Sequence, residues 1–281
     1  MSFDGTYTFD GDSEPTVITT ENAYLLQKQQ GKKYALDFAE YVIDGGYYYT
    51  SSFDSTYTHM MAQHSYLDSA VYGQRIAMII EGGWWENEAR SFFGEIAAES
   101  GDEYAFGVRR FAFMPAPKSD DGKSAPGTTL ISSTGNSVAF IAANTSEAEL
   151  AKDFLRFVHT DHGLRTFTRM TGAIRPYDYE LENGDLAEMT HYAKNMWDIY
   201  HDDDTAISYV TLYHNDCFIH ETSFLGSNWW WRTTVNGHEY LDAMYEFTQE
   251  PSLNAENWFL GLQETFSEEN WKSRMSAYFT R

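Results

Sequence analysis

The stretch IAMIIEGGWWENEA, residues 76–89, decides how the fold of this chain is predicted. Its apolar run, residues 76–80, is typical of a short buried strand, and the Gly-Gly pair beyond it permits a sharp turn. Trp84 and Trp85 follow that turn directly. Ligands of open α/β sheets bind just beyond the carboxyl ends of the strands, so we expect these two indoles to form part of a binding wall.

Composition narrows the class of protein. The chain has 281 residues, and 42% of them are hydrophobic, which is enough for a substantial core. The 42 acidic and 19 basic residues give a formal net charge of −23, so nucleic acid and anionic membranes are repelled on average. The single Cys217 excludes an intramolecular disulfide. Because no P-loop and no dinucleotide-binding fingerprint is present, we predict no cofactor.

Hydrophobic periodicity predicts helices and strands in alternation. The expected helices share apolar stripes at helical spacing: residues 21–43, 58–72, 86–100, 144–163 and 164–170, and the segments from 228 and from 251 onward. The expected strands are residues 16–18, 76–80, 104–114 and 135–144. Asn144 or Thr145 should cap the fourth helix, with Ser146 and Glu149 at capping-box spacing. This alternation predicts an α/β layered fold.

A family resemblance rests on motifs that occur in a fixed order. They are YALDFAEYVIDGGYY (34–48), AVYGQRIAMIIEGGWWENE (70–88), YAFGVRRFAFMPAP (104–117) and the run 135–176, which contains AKDFLRF and ends in TGAIRP. In this order they resemble the C-terminal half of the extracellular solute-binding proteins of ABC importers, in the carbohydrate-type, maltose-binding-protein-like group. The match covers residues 30–180 well and the remaining third only loosely.

The resemblance implies a periplasmic-binding-protein-like type II fold with two lobes, here lacking much of the N-terminal part. Residues 1–113 would form part of the C-terminal lobe, residues 114–185 a return excursion into the N-terminal lobe, and residues 186–281 the helical remainder. The family is extracytoplasmic, as a cell-surface lipoprotein or in the periplasm. Because residues 1–12 show no basic start and no apolar signal core, we expect the signal peptide to be absent from this chain.

The resemblance also implies a function: non-catalytic binding of a mono- or oligosaccharide for delivery to the permease subunits of an ABC transporter. A truncated chain of this kind would expose sheet edges and apolar faces, so self-association is expected as well.

The candidate ligand-binding residues combine indoles with polar groups. An indole face suits the C–H face of a sugar, and carboxylates can accept hydrogen bonds from its hydroxyl groups. From the residues and the resemblance together, the candidates are Trp84, Trp85, Glu81, Glu86, Trp230, Trp231 and Arg175. Alternation along the chain turns consecutive side chains to different sides, so one of the first two indoles can belong to the core.

Three alternatives stay open at this stage. A glycoside hydrolase would need two carboxylates around the scissile bond, and Glu81, Glu86 and Glu88 lie beside the tryptophans. The spacing of His214, Cys217 and His220 suggests a metal site. A closed zinc site needs a fourth ligand, and no second Cys/His pair lies nearby in the sequence, so this alternative is the weaker one and no metal is predicted. A structural or adhesive module would show neither binding nor turnover.

Overall fold

The computed structural model describes residues 6–19, 21–73, 75–118, 127–132, 139–209 and 232–279. They form a helix-rich α/β protein, about 51% helical. The helices are α1 (Gln30–Asp44), α2 (His59–Asp68), α3 (Trp85–Glu88), α4 (Arg90–Ser100), α5 (Ala148–Phe157), α6 (Asp161–Thr171), α7 (Asn183–Glu188), α8 (His191–Tyr200), α9 (Ala243–Gln249), α10 (Ala255–Thr265) and α11 (Glu268–Phe279). The strands are β1 (Thr6–Tyr7), β2 (Thr16–Val17), β3 (Thr128–Ser132), β4 (Thr205–Tyr209), β5 (Thr233–Val235) and β6 (His238–Tyr240).

The described strands pair two by two. β1 and β2 are antiparallel. β3 and β4 are parallel, with Thr128 opposite Thr205, and α5 to α8 lie between them in the sequence. β5 and β6 form an antiparallel hairpin. Its turn residues Asn236 and Gly237 both have positive φ, 52° and 81°, as a type I′ turn requires.

The first core joins the two ends of the described chain. α1 buries Leu36 and Ala39, three residues apart on one face, and packs against α10, which buries Trp258. α10 also packs on the β5–β6 hairpin at Gly261. A Cβ atom there would lie 2.5 Å from the carbonyl oxygen of Thr234, so glycine is required for the helix and the hairpin to approach this closely.

Two further cores meet at α8. Tyr192 and Met196 belong to the second core, together with buried residues of α2, α4 and the segment around Trp85. Ala193 and Trp197, one position further along the same helix, belong to the third core with α6. Helical periodicity accounts for this division, because neighbouring residues of a helix point about 100° apart. The predicted boundaries at 113 and 185 remain predictions.

Several predicted helices are confirmed. The helix predicted over 21–43 corresponds to a 3₁₀ turn at Ala23–Lys28 followed by α1, and that over 58–72 corresponds to α2. The helix predicted over 86–100 is divided into α3 and α4, and residues 164–170 lie within α6. The predicted cap of α5 is wrong. The helix begins at Ala148, and the Thr145 hydroxyl accepts from the backbone N–H of Glu147, so it holds the preceding turn instead.

Three predicted strands are wrong in the part of the chain that the structure describes. Residues 76–80 belong to no strand, and Ile80 is 94% exposed. Residues 105–114 are irregular, as are residues 139–144 of the segment predicted from 135 onward. An apolar run indicates that a segment tends to be buried. It does not indicate whether a second strand lies beside the segment to form a hydrogen-bonded ladder with it. Phe111, for example, is buried among aromatic rings and not within a ladder.

The helix predicted from residue 228 onward begins only at Ala243, because the β5–β6 hairpin precedes it. Residues 228–231 lie outside the described ranges. Across those ranges, no helix is long and apolar enough to cross a membrane.

Candidate functional site

The two adjacent tryptophans lie in opposite environments. Trp85 is 4% exposed and occupies the middle of the second core, where its ring centroid lies 5.1 Å from that of Phe111 and 5.6 Å from that of Tyr192. Trp84, which precedes the first residue of α3, is 54% exposed. Trp85 is therefore a core residue, and the wall predicted from two indoles reduces to Trp84.

Each glycine of the Gly-Gly pair makes room for a large side chain. A Cβ atom on Gly82 would lie 2.2 Å from the six-membered ring of Trp84. A Cβ atom on Gly83 would lie 2.7 Å from the sulfur of Met196 on α8. Gly82 thus lets the Trp84 ring lie against the main chain, and Gly83 lets the backbone pack against Met196 of the second core.

Two carboxylates next to Trp84 share one amide. Gln63 of α2 is completely buried, and its Nε2 donates to Glu81 Oε1 at 3.3 Å and to Glu88 Oε2 at 2.6 Å. Glu88 lies four residues after Trp84, and its backbone N–H donates to the Trp84 carbonyl, so the two share one side of the turn. His59 Nε2 lies 3.9 Å from Glu88 Oε1. We call Gln63, Glu81 and Glu88 the carboxylate cluster.

Glu86 of α3 lines a separate cleft of about 200 Å³. It is lined by Glu86, Arg90, Phe106, Arg169, Met170, Thr171, Gly172, Glu188, Thr190 and Ala193. The Arg90 guanidinium lies 4.3 Å from the centroid of the Phe106 ring, and Arg169 lies 3.5 Å from the Glu188 carboxylate. The charges of its four ionisable residues balance formally, so the cleft has no strong preference for an anion or a cation.

Glu86 is held at the start of α8. The Thr190 hydroxyl donates to Glu86 Oε2, and the same Thr190 oxygen accepts from the backbone N–H of Ala193. Burial raises the pKa of Glu86 above its ordinary value, and the Thr190 hydrogen bond, His191 and Arg90 oppose that shift. Thr190 is thus the N-cap of α8, and Glu86 accepts a hydrogen bond from the hydroxyl of that cap.

Replacing Glu86 by glutamine is expected to change the pH dependence of stability. Because the pKa of Glu86 is higher in the folded protein, the folded state binds more protons between the ordinary carboxyl pKa and the raised one. In the wild type, the free energy of unfolding therefore falls as pH rises from the ordinary carboxyl pKa to the raised pKa of Glu86. Glu86→Gln should remove this part of the pH profile, measured by urea unfolding at a series of pH values from 4 to 8.

The control for this test is Glu86→Ala, which leaves the Thr190 hydroxyl without its acceptor. It should lower the free energy of unfolding by about 1–3 kcal/mol at the acidic end of the range, and, because alanine does not titrate, it should lose the same part of the pH profile as Glu86→Gln. If Glu86→Gln keeps the wild-type pH profile, the raised pKa is wrong.

The remaining predicted site residues have other surroundings. The Arg175 guanidinium lies 5.2 Å from the centroid of the Phe167 ring, and its backbone N–H donates to the Tyr179 hydroxyl at 3.2 Å. Arg175 does not line the cleft. Trp230 and Trp231 lie outside the described residues, as do the three residues of the possible metal motif, His214, Cys217 and His220.

No group of three or more His, Cys, Asp or Glu side chains among the described residues is arranged to hold a metal ion.

Sequence reasoning missed Gln63, His59 and Thr190. His59 and Gln63 are four residues apart on α2 and therefore share a helix face. This pair of polar residues on one face was the sequence signal that could have identified them as site candidates. Thr190 carries an ordinary N-cap signal before α8, but nothing local indicates that its hydroxyl also serves Glu86, 104 residues earlier.

No protein-family model, no curated protein and no solved structure matches this chain significantly.

Proposed function

We propose that this protein binds a mono- or oligosaccharide without chemical conversion and delivers it to the permease subunits of an ABC transporter. The observation that supports this most directly is the half-exposed indole of Trp84, held against Gly82 beside two carboxylates. The resemblance to the tryptophan motif of carbohydrate-type solute-binding proteins falls on Trp84 or Trp85, and of these two indoles Trp84 is the exposed one. Geometry and resemblance together therefore point to Trp84.

The chemistry of a sugar fits this surface. One face of a pyranose ring presents C–H groups, which pack against the flat indole. The hydroxyl groups around its rim donate to the side-chain oxygens of Glu81 and Glu88. Apolar contact supplies affinity, and the hydrogen bonds orient the ring.

The proposal includes the architecture of the family. A type II periplasmic-binding-protein-like chain closes two lobes around its ligand by a hinge motion, which excludes water from the sugar. The protein would work outside the cytoplasm, as a cell-surface lipoprotein or in the periplasm. The parallel β3–β4 pair and the three separate cores are compatible with such a layered fold.

Self-association is part of the same proposal, and the exposed apolar face of α5 supports it. Leu150, Phe154 and Phe157 are 65%, 62% and 50% exposed at i, i+4, i+7 spacing. An apolar groove of about 270 Å³ lies between this helix and residues 140–145. Contiguous exposed apolar surface of this kind is typical of protein contact sites.

The experiment that tests the function is a titration of the full chain with a panel of mono- and oligosaccharides, with and without amino groups, followed by tryptophan fluorescence. We expect saturable binding of at least one sugar, with one-to-one stoichiometry by calorimetry and no release of reducing sugar on prolonged incubation. Turnover of a glycoside would instead favour the hydrolase alternative. Absence of binding across the panel would contradict the proposal.

A further inference from the structure

The carboxylate cluster has more hydrogen-bond acceptors than donors and contains no Lys or Arg. Glu81 and Glu88 both bond the same Gln63 nitrogen. Across the described residues, no Lys or Arg lies within 4.0 Å of either carboxylate, and the nearest basic group is the largely exposed His59. By contrast, the buried Asp185 is paired with Arg165 and approached by Arg169.

A buried acceptor in the same cluster has no donor. The Gln63 side chain is 0% exposed, and its Oε1 atom makes no hydrogen bond. Exchanging the amide atoms would not repair this, because the oxygen would then face two carboxylates and the bridging hydrogen bonds would be lost. The cluster therefore lacks hydrogen-bond donors, and a buried acceptor without one is costly.

The exposed Trp84 ring and the cluster both contact Gly82. The ring packs on Gly82, and the backbone N–H of Gly82 donates to Glu81 Oε2 at 3.3 Å. The electron-rich face of an indole attracts cations more strongly than the ring of any other side chain does. Two carboxylates without a Lys or Arg partner and an exposed indole together favour a positively charged group with several N–H donors.

We propose that the sugar bound beside Trp84 carries a protonated amino group, which Glu81 and Glu88 receive. This inference rests on the proposed sugar-binding function and specifies its ligand as an amino sugar. An alkylammonium group has three donors and no acceptor, which complements a cluster that has only free acceptors. A neutral sugar would fill the same place with hydroxyl groups but would leave two negative charges without a counter-charge.

The test compares glucosamine with N-acetylglucosamine and glucose, by calorimetry on the full chain at pH 7 and low salt. We expect the amine to bind about three- to tenfold more tightly than either neutral sugar, as for a partly exposed ion pair. This preference should shrink in 0.5 M salt, because screening weakens the charge interaction. The comparison uses the wild-type protein alone and therefore does not depend on the folding of any variant.

Matched variants then locate the preference. Glu81→Gln and Glu88→Gln keep the shape of the side chain and an oxygen acceptor for Gln63, so each should weaken binding of glucosamine more than binding of glucose and thereby reduce the preference for the amine. Glu95→Gln removes the same charge from an exposed position on α4 outside the cluster, and should keep the preference. Circular dichroism confirms that each variant is folded.

The possible failures are distinguishable. Equal binding of the three sugars by the wild type overturns the amino-sugar inference and leaves the proposed sugar binding intact. A preference for the amine that survives in both cluster variants likewise overturns the assignment of the amino group to Glu81 and Glu88, and leaves sugar binding intact. If no sugar binds, with or without an amino group, the proposed function fails and this inference fails with it.

Discussion

Replacing Trp85 by alanine should lower the free energy of unfolding by about 3–5 kcal/mol, the usual cost of deleting a large buried aromatic side chain. Trp85 is the ring that connects the second core. Its neighbours come from α2, α4, α8 and the irregular segment before residue 118, so its loss leaves a cavity that no single element can fill. Urea unfolding followed by circular dichroism measures the change.

The adjacent Trp84→Ala variant is the control for this prediction. Trp84 is more than half exposed, so the same substitution there should change the free energy of unfolding by less than about 1 kcal/mol. If both variants lose the same stability, the assignment of one indole to the core and the other to the surface is wrong.

Trp84→Ala should have its large effect on ligand affinity. We expect the dissociation constant for the sugar identified in the panel to rise at least about tenfold, or 1.4 kcal/mol. The bound sugar would cover the Trp84 ring, and a tryptophan that is buried on binding is commonly among the strongest contacts of an interface. Trp84→Phe keeps an aromatic face of smaller area, so its affinity should lie between those of the wild type and Trp84→Ala. Calorimetry on the three proteins, at one pH and salt concentration, measures the series.

Stability and affinity must be separated for this result to be interpreted. Because Trp84→Ala is expected to remain folded, a loss of affinity without a shift of the unfolding midpoint identifies a ligand contact. A loss of both together would instead indicate that Trp84 supports the fold around Gly82, against which its ring packs.

The helices were predictable from sequence because their signals are local. The apolar stripe of α1 and the left-handed Gly172 after α6 each lie within a few residues of the feature they specify. The β5–β6 hairpin had an equally local signal, the Asn236–Gly237 pair between two short β-type segments, which the helical prediction for this region overlooked.

Strand pairing could not be predicted in the same way, because it depends on a distant partner. Residues 76–80 have the composition of a buried strand, and the described residues provide no neighbouring strand for them. The β3–β4 pair, in turn, joins Thr128 to Thr205 across most of the helices of the central region.

The candidate site was predicted only in part for the same reason. Alternation along the chain indicated that one of the two tryptophans can be buried, and only packing against Phe111 and Tyr192 decides that it is Trp85. The hydrogen bonds from Gln63 reach Glu81 and Glu88, which lie 18 and 25 residues further along the chain. Helical and strand periodicity relate only residues a few positions apart, so they could not predict these contacts.

The central claim is that the outward ring of Trp84 contacts the sugar, and fluorine NMR of the protein labelled with 5-fluorotryptophan tests it most directly. The Trp84 resonance is assigned by its disappearance in Trp84→Phe. We predict that it shifts saturably as sugar is added, with the same dissociation constant that calorimetry gives. A Trp84 resonance that stays fixed while the protein is saturated with sugar would contradict the account.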